Sequence, residues 1–289
     1  MKITAWREPH QGPSSHRLAW VATSDENYPV ATAYLRVFTA AGAEHRTEAE
    51  ITVHPAERRR GAGTALLSEA VAAARALGRR TLVAGPVEAG SAGESFLTAR
   101  GLRPVLALTC ARLALADADG TAALTEPHPG YRLISWEGTV PDDLAATFAA
   151  SRRAMDDMPM DEADVGAESW DVDRVRAIAA AVAARGDTLC TVAAVAEPDG
   201  AIVGFTELVV TGPGRTDAQH YGTGVLPGHR GRGLARWMKA EAIRHTRLRH
   251  PDVPGLLTDT ADSNVAMRKV NDALGYAATH RSVLFQLDL

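Results

Sequence analysis

Two stretches of the chain repeat one motif: VHPAERRRGAGTAL at residues 53–66 and VLPGHRGRGLARWM at residues 225–238. Both fit the pattern Val-x-Pro-x-x-Arg-x-x-Gly-x-Gly/Ala, and one offset of 172 residues relates every matched position. A further match, ARGL at residues 99–102 and ALGY at residues 273–276, has an offset of 174, so the second copy carries two extra residues before it. A constant offset through a motif indicates an internal duplication.

The apolar patterns around the motifs predict similar elements in the two copies. In the first copy we predict strands at residues 18–22, 31–38, 48–53, 82–84 and 105–108 and helices at residues 64–77 and 94–100. In the second copy we predict strands at residues 131–136, 189–196, 202–210, 220–226, 256–260 and 282–287 and helices at residues 141–155, 171–185, 234–248 and 264–274. Each motif therefore lies where a strand passes directly into a helix.

The segment between the copies is rich in Asp, Gly, Pro and Thr, which is typical of a linker. We therefore predict a first domain at residues 1–116, a linker at residues 117–130 and a second domain at residues 131–289. The chain has 289 residues, of which 46% are hydrophobic, and this is enough for two cores of common size.

The motif has a chemical use that follows from its position. A strand that passes into a helix presents unpaired backbone N–H groups and the positive end of the helix dipole, which together suit a pyrophosphate. In the second copy, Gly231, Gly233 and Ala235 have little or no side chain, so phosphates can reach the backbone. Arg230 and Arg232 add positive charge. A solvated basic helix start is the alternative, but two occurrences in register disfavour it. A P-loop is excluded because neither copy has Gly-Lys-Ser/Thr, and the dinucleotide fingerprint lacks its final glycine.

The order of elements in the second copy, with Arg-x-x-Gly-x-Gly/Ala at a helix start, resembles the GNAT N-acetyltransferase superfamily. The first copy has only 52 residues before Val53, too few for the family's opening strand and helix pair. The resemblance implies an α/β fold of two GNAT-type domains, each a mixed, mostly antiparallel central sheet flanked by helices, with the first domain truncated. It also implies acetyl-coenzyme A (acetyl-CoA) as cosubstrate, with its pyrophosphate at the motif.

The motif and the resemblance together predict the residues that contact the cosubstrate. In the second copy they are Val225, Leu226, Pro227, Arg230, Gly231, Arg232, Gly233, Leu234, Ala235 and Asn264. In the first copy they are Val53, Arg58, Arg59, Gly61 and Gly63. Asn264 is included because family members commonly contact the pantetheine arm with an Asn after the fifth strand.

The resemblance also implies an acid that protonates the departing thiolate, a tyrosine seven residues after that Asn. The second copy has Asn271 at this position and the first copy has Leu97. Tyr221 and Tyr276 are the candidate substitutes, and a water molecule is the alternative. Because the second copy keeps the Asn and alone has the helix pair, we expect catalysis there.

An acceptor amine must lose a proton before it attacks the thioester, so a general base is needed near the middle strands. The candidates by strand position are Glu207, His220 and Asp259, and each of them has a structural role as its alternative. Strand alternation places Tyr221 and Val225 on one face of their strand and His220 on the other. A backbone N–H near Val225 would stabilise the oxyanion.

An acidic segment that contains methionines follows the first helix of the second copy, where family members place substrate-binding loops. Its carboxylates, Asp156, Asp157, Asp161 and Glu162, would attract a cationic amine. The alternative is a solvated loop whose methionines pack into the core. We expect no metal, because His245 and His250 have no cysteine or carboxylate set of ligand spacing near them in the sequence.

Composition limits the class of partner and the compartment. The net charge of −4 argues against sequence-independent binding of nucleic acid. With two cysteines, no apolar signal region in MKITAWREPH and no apolar stretch near membrane-spanning length, we expect a cytoplasmic protein that does not enter the membrane. The oligomeric state is left open.

The favoured function is acetyl transfer to a primary amine of a small molecule, by direct attack in a ternary complex. A narrower version, mycothiol synthase, is disfavoured by Asn271 and by the short first copy. The absent tyrosine favours a second class, a non-catalytic acyl-CoA sensor or scaffold. A third class, an aminoacyl transferase that uses charged tRNA, is disfavoured by the acidic net charge.

Overall fold

The structure is a computed structural model that describes residues 1–7, 14–116, 128–164 and 169–289. Its strands are β1 Lys2–Arg7, β2 Ser15–Thr23, β3 Pro29–Phe38, β4 Arg46–Val53, β5 Thr81–Glu88, β6 Arg103–Ala114, β7 Tyr131–Glu137, β8 Thr188–Ala196, β9 Ile202–Val210, β10 Ala218–Val225, β11 Gly255–Ala261 and β12 Ala277–Asp288. Its helices are α1 Ala62–Ala76, α2 Ala92–Ala99, α3 Asp142–Ser151, α4 Val172–Ala184, α5 Leu234–Arg249 and α6 Val265–Ala273. Short 3₁₀ turns lie at Pro55–Glu57, Arg152–Met155 and Pro227–His229.

The chain forms two compact units that are not contiguous in sequence. Unit 1 comprises Met1–Ala107, Met160–Glu168 and Arg281–Leu289, and unit 2 comprises Leu108–Pro159 and Ser169–His280. The division into residues 1–116, 117–130 and 131–289 stays a prediction about the two sequence copies. Residues 117–127 of the predicted linker lie outside the described residues.

Unit 1 is built on strands that pair in the order β1-β2-β3-β4-β5. All these pairs are antiparallel except β4 with β5, which is parallel. Helix α1 packs its buried side chains, among them Leu66 and Ala70, onto the apolar face of these strands. In the described parts of residues 1–53 there are four strands and no helix. The helix pair is absent there as expected, but the opening strand, expected to be missing, is present as β1.

Unit 2 has helices on both faces of its strands, which pair in the order β11-β10-β9-β8-β7. Alternate residues of β8 direct their side chains to opposite faces of the sheet. Val192 and Ala194 pack with Leu234 and Met238 of α5. Ala193 and Val195 pack with residues of α3 and α4, including Phe148 and Val175. The helix pair that we expected in the second copy is therefore present and covers the face opposite α5.

The last strand of each sequence copy lies in the unit built mainly from the other copy. Residues 108–114 of β6 pair antiparallel with β11 in unit 2, and residues 282–288 of β12 pair antiparallel with β5 in unit 1. The buried Leu113 of β6 belongs to the core that also contains Leu256 and Leu274. Each unit therefore needs a strand from both halves of the sequence.

None of the helices in the described ranges is long and apolar enough to cross a membrane.

The exchanged strands predict how fragments behave. A fragment of residues 131–280 leaves β11 without its seven paired residues of β6, whereas a fragment of residues 103–280 keeps them. Because Ala111, Leu113 and Leu115 also leave the core of unit 2, we expect the shorter fragment to lose more than about 3 kcal/mol of unfolding free energy relative to the longer one. Urea unfolding followed by circular dichroism measures this, and equal midpoints would contradict it.

Candidate functional site

The two motifs form loops of the same backbone shape. Two positions in each loop have left-handed φ angles, 68° at Arg59 and 74° at Gly231, then 90° at Gly61 and 75° at Gly233. Left-handed backbone is disfavoured for residues other than glycine. That Arg59 adopts it in the first copy indicates that the surrounding loop imposes this shape.

Each loop ends at a glycine that caps the following helix. Gly61 precedes α1 and Gly233 precedes α5, and among the described residues neither helix start receives a side-chain hydrogen bond at its cap. By contrast, the Asn264 side chain accepts a hydrogen bond from the N–H of Met267 and caps α6. The first N–H groups of α1 and α5 are thus left for another acceptor, as an anion site requires. Asn264, predicted as a pantetheine contact, uses its side-chain oxygen for this cap.

The arginine shared by the two motifs has a positioning role. Arg230 donates from Nε to the carbonyl of Val225 at 2.8 Å and from both Nη atoms to the Asp157 carboxylate at 2.6 Å. Arg58 likewise donates from Nε to the carbonyl of Val53, at 3.4 Å. The hydrogen bond from Arg230 holds the pKa of Asp157 below its usual range. Arg230 therefore orients the loop, and Asp157, a predicted amine contact, is its ion-pair partner.

His128, like Asp157, lies outside the motif and contacts the loop of unit 2. His128 donates from Nδ1 to the carbonyl of Arg232 at 3.1 Å and stacks on Trp237 with ring centroids 4.3 Å apart. Its Cε1 lies 3.1 Å from where a β-carbon on Gly233 would be, whereas a β-carbon on Gly61 would meet no described atom within 4 Å. His128 is not among the predicted contacts because it lies outside the repeated motif.

Strands β10 and β11 separate beside this loop. They pair in parallel only at Ala218 with Leu256 and at Gln219 with Leu257. The pairing of β10 with β9 skips Tyr221, which is a β-bulge, and continues to Val225. Beyond Gln219 the two strands therefore have a gap between them, which opens toward the start of α5.

The bulge changes which side chains share a face. His220 hydrogen-bonds Tyr276 and is close to Lys239 of α5, and Val225 packs with Met238 of the same helix. The expected opposition of His220 and Val225 is therefore wrong, because simple alternation fails where Tyr221 is inserted. Tyr221 points away from them and is 49% exposed, and its hydroxyl accepts a hydrogen bond from Arg185 at 3.0 Å.

The face of β10 that lies toward α3 is close-packed. β-Carbons on Gly222 and Gly224 would contact Met155 of the 3₁₀ turn after α3. Glu207 lies opposite Gly222 in the register and is buried, with its carboxylate bound to the buried Arg152. The Arg152 guanidinium also lies 4.0 Å from the centroid of Trp170. Glu207 is thus held in an enclosed ion pair.

A buried polar network joins α5, α6 and the strands. His220 Nε2 is 2.7 Å from the Tyr276 hydroxyl, and Lys239 Nζ donates to Asn271 at 2.8 Å. Asn271 in turn donates to Thr260 at 3.1 Å. Burial raises the pKa of Tyr276 and lowers the pKa of His220 well below its usual value. Tyr276 and Asn271 are therefore core residues, and neither presents a free acid to the gap.

Among the five candidate catalytic residues, Asp259 and Tyr221 have exposed side chains, while Glu207, His220 and Tyr276 are buried. Asp259 lies on β11 just beyond the point where β10 separates, and Gln219 donates to its carboxylate at 2.9 Å. The structure therefore places a carboxylate at the mouth of the gap. A concavity of about 580 Å³, lined by residues of β6 and the end of α6 such as Arg112 and Asp272, lies apart from it.

His245 and His250, for which we expected no metal because no ligand set lies near them in the sequence, have ligand-type neighbours in space. His245 Nε2 is 2.9 Å and His250 Nε2 is 3.1 Å from the same carboxylate oxygen of Glu137, and Cys190 Sγ is 3.7 Å from His250 Nε2. Burial and the charge of Glu137 raise the pKa of Cys190 to about 12. These residues are far apart in sequence, so spacing alone did not reveal them.

Comparison with known proteins agrees with this architecture. A sequence profile described as the acetyltransferase (GNAT) family matches residues 3–93 and 153–276. A tandem GNAT protein from the clavulanic acid biosynthesis pathway has a similar structure, with a TM-score of 0.78 and 24% identity over 96% of this chain and 84% of that one. A GCN5-related N-acetyltransferase from Sphaerobacter thermophilus has a TM-score of 0.63 and 17% identity over 93% of this chain and 80% of that one. These likenesses concern the fold, and no curated protein sequence matches the chain.

The Arg152–Glu207 pair gives a stability prediction. Replacing Arg152 by Met leaves the Glu207 carboxylate buried without its cation, so we expect a loss of roughly 3–5 kcal/mol of unfolding free energy. The neighbouring exposed residue gives the control, since Arg153→Met should change stability by less than about 0.5 kcal/mol. Adding Glu207→Gln to Arg152→Met should recover part of the loss. Equal denaturation midpoints for the two single variants would contradict the prediction.

Lys239 makes stability depend on pH. Burial lowers its pKa from 10.5 to about 7, with partial compensation by Asp259. Between these values the unfolded chain binds more protons than the folded one, so the free energy of unfolding should rise as pH increases from about 7 to about 10. Urea unfolding across this range should show a rise that Lys239→Met removes and Lys269→Met, at an exposed lysine, retains. The same rise in Lys239→Met would show that another group causes it.

Proposed function

Because the chain belongs to the acetyltransferase (GNAT) family, we propose that it transfers an acetyl group from acetyl-CoA to a primary amine of a small molecule, within unit 2. The family and the tandem fold support an acyl-CoA-dependent acetyltransferase. The observation that carries the finer proposal is the gap between β10 and β11, which opens beside the glycine loop at the start of α5. An extended cosubstrate with a pyrophosphate at one end suits a gap that adjoins an anion site.

The residues of unit 2 fit the pyrophosphate of acetyl-CoA. Gly231 is exposed, has a left-handed φ angle and would present no β-carbon contact with described atoms within 4 Å. The first N–H groups of α5 and the side chain of Arg232 would hold the phosphates, while Arg230 and Asp157 would keep the loop in shape. The bound cosubstrate supplies the activated acetyl group as a thioester.

Strand β10 offers a backbone donor for the developing negative charge. The N–H of Leu226 donates to the carbonyl of Val203 in β9 at 2.8 Å. Since successive residues of a strand direct their N–H groups to opposite edges, the N–H of Val225 points to the edge from which β11 has separated. We assign this N–H to the oxyanion.

Asp259 is our choice among the candidate bases. Its carboxylate is exposed at the mouth of the gap, whereas Glu207 is bound to Arg152 and His220 is buried against Tyr276. An exposed carboxylate attracts an ammonium group and accepts its proton directly or through water. Tyr221, with its exposed hydroxyl near the bulge, is the candidate acid that remains accessible.

Unit 1 offers a second place for the cosubstrate. Its loop has the same backbone shape as the loop of unit 2. A β-carbon on Gly61 would meet no described atom within 4 Å, whereas one on Gly233 would lie 3.1 Å from His128. Strands β4 and β5 also pair in parallel over four residues and then part. The helix pair that would form an acceptor pocket is absent from the described parts of residues 1–53. We therefore assign to unit 1 a structural role or cosubstrate binding, and turnover to unit 2.

The second candidate function is a non-catalytic acyl-CoA sensor or scaffold. Two residues favour it: Tyr276 is buried away from the gap, and Asn271 has an amide side chain that cannot protonate a thiolate. Binding without turnover across an amine library would identify this function.

Substitution at Gly231 tests the phosphate site with a matched control. Asn and Asp have the same size and both tolerate left-handed backbone, so the comparison isolates the charge. We expect Gly231→Asp to bind acetyl-CoA about tenfold more weakly than Gly231→Asn, because the carboxylate would face the pyrophosphate. Isothermal titration calorimetry on folded variants measures this.

The same pair of substitutions at Gly61 tests the division between the units. Turnover of an amine found in the library should be equal in Gly61→Asp and Gly61→Asn. If Gly61→Asp abolishes turnover while Gly231→Asp leaves it intact, unit 1 is the catalytic unit.

Asp259 gives a prediction for the chemistry. Asp259→Asn should lower kcat/KM by about 10²-fold or more while acetyl-CoA binding is unchanged, because the proton acceptor alone is removed. Asp252→Asn, at another exposed aspartate of unit 2, is the control and should keep wild-type activity. Wild-type kcat/KM in Asp259→Asn would exclude Asp259 as the base.

A further inference from the structure

Four side chains with metal-ligand chemistry meet in unit 2, at the opposite end of α5 from the glycine loop. Glu137 ends β7, Cys190 lies in β8, His245 lies just before the last turn of α5, and His250 is the C-terminal cap of α5. Glu137 and Cys190 are direct cross-strand partners, which places their side chains on the same face. One ligand atom from each of Glu137, Cys190 and His250 lies within 4.8 Å of the other two.

Two of the three distances in this cluster match the edges of a small coordination polyhedron, and the third is below 4.8 Å. A tetrahedral zinc site, with Zn–S of about 2.3 Å and Zn–N or Zn–O of about 2.0–2.1 Å, has S···N edges of about 3.6 Å and N···O edges of about 3.3 Å. Cys190 Sγ lies 3.7 Å from His250 Nε2, and His250 Nε2 lies 3.1 Å from the Glu137 oxygen. An ion would fit among these atoms with small side-chain movements.

The charges around the cluster are of both signs, since Arg249 Nε lies 4.0 Å from the same Glu137 oxygen and an ion would have to displace this guanidinium. The C-terminal end of α5 carries the negative end of its helix dipole. Glu137, His245 and His250 are 28%, 17% and 18% exposed, so an ion has a route in from solvent, while the Cys190 side is closed by the core. His245 contacts the same Glu137 oxygen at 2.9 Å and is placed to hold the carboxylate, as supporting residues of metal sites do.

We propose that Glu137, Cys190 and His250 bind a divalent metal ion, with His245 orienting Glu137. The combination of thiolate, imidazole and carboxylate favours zinc. On binding, the Cys190 thiol loses its proton to solvent and the sulfur forms the metal bond. The ion would join β7, β8 and the end of α5. Since α5 has 16 residues and rises about 1.5 Å per residue, the ion would lie roughly 24 Å from the glycine loop, and its role is structural.

Cobalt(II) titration of the full-length protein, stripped with a chelator, tests the proposal. We expect an absorption band from thiolate-to-cobalt charge transfer in the wild type. Cys190→Ser should lack the band, and Cys110→Ser, at the other cysteine of the chain, should keep it. A wild type without the band, or a Cys190→Ser variant that retains it, overturns the proposal.

Histidine variants provide a test that does not depend on substitution of a core residue. Competition with a zinc chelator measures the zinc affinity of each variant. Relative to the wild type, we expect His250→Gln to bind zinc at least about 100-fold more weakly and His245→Gln about tenfold more weakly. The control His280→Gln, at an exposed histidine, should bind zinc as the wild type does. Zinc should also raise the Tm of the wild type and His280→Gln but not of His250→Gln. Unchanged zinc affinity in His250→Gln overturns the proposal, because the cluster then acts only through its hydrogen bonds.

Discussion

The site of unit 2 depends on the end of one backbone ladder. Strands β10 and β11 are parallel neighbours at Ala218 and Gln219, and then they part. If β10 had no partner beyond this point, the backbone groups on both of its edges would be unpaired. Instead β10 remains paired with β9 as far as Val225, with a bulge at Tyr221. The strand thus keeps one paired edge and opens the other toward the glycine loop. The position of Asp259, the direction of the Val225 N–H and the closeness of the gap to α5 all follow from this separation.

The motif was the most predictable part of the chain because its residue types indicate its backbone conformation. The glycines at 61, 231 and 233 mark backbone that other residues rarely adopt, and the valine before each loop marks a strand end. The pattern also predicted the helices and most strands, since their apolar faces repeat with the right period. The motif did not predict that Arg230 forms an ion pair with Asp157. An arginine beside glycines is compatible with a phosphate or with a carboxylate as its partner, and the sequence does not distinguish the two.

The features that sequence reasoning missed share a cause: they depend on how one segment pairs with another and not on the pattern within a single segment. β1 shows little burial, and its position comes from backbone hydrogen bonds to β2. His220 and Val225 share a face through a bulge, which period-two alternation cannot register. The cluster around Glu137 joins a strand end, a cross-strand partner and a helix end. Local patterns determine elements, whereas the pairing partners of each strand are determined by the register and order of the sheet.

The exchanged strands have a consequence for how this duplicated chain can change over evolutionary time. A gene that encoded either half alone would lack one strand of the unit it mainly builds, because residues 108–114 pair in unit 2 and residues 282–288 pair in unit 1. Loss or recombination of one half would therefore damage both cores. A half without activity of its own would still be needed for the strand that it supplies, and its surface could then acquire a different ligand. Under this constraint the two halves would stay joined while their glycine loops could diverge.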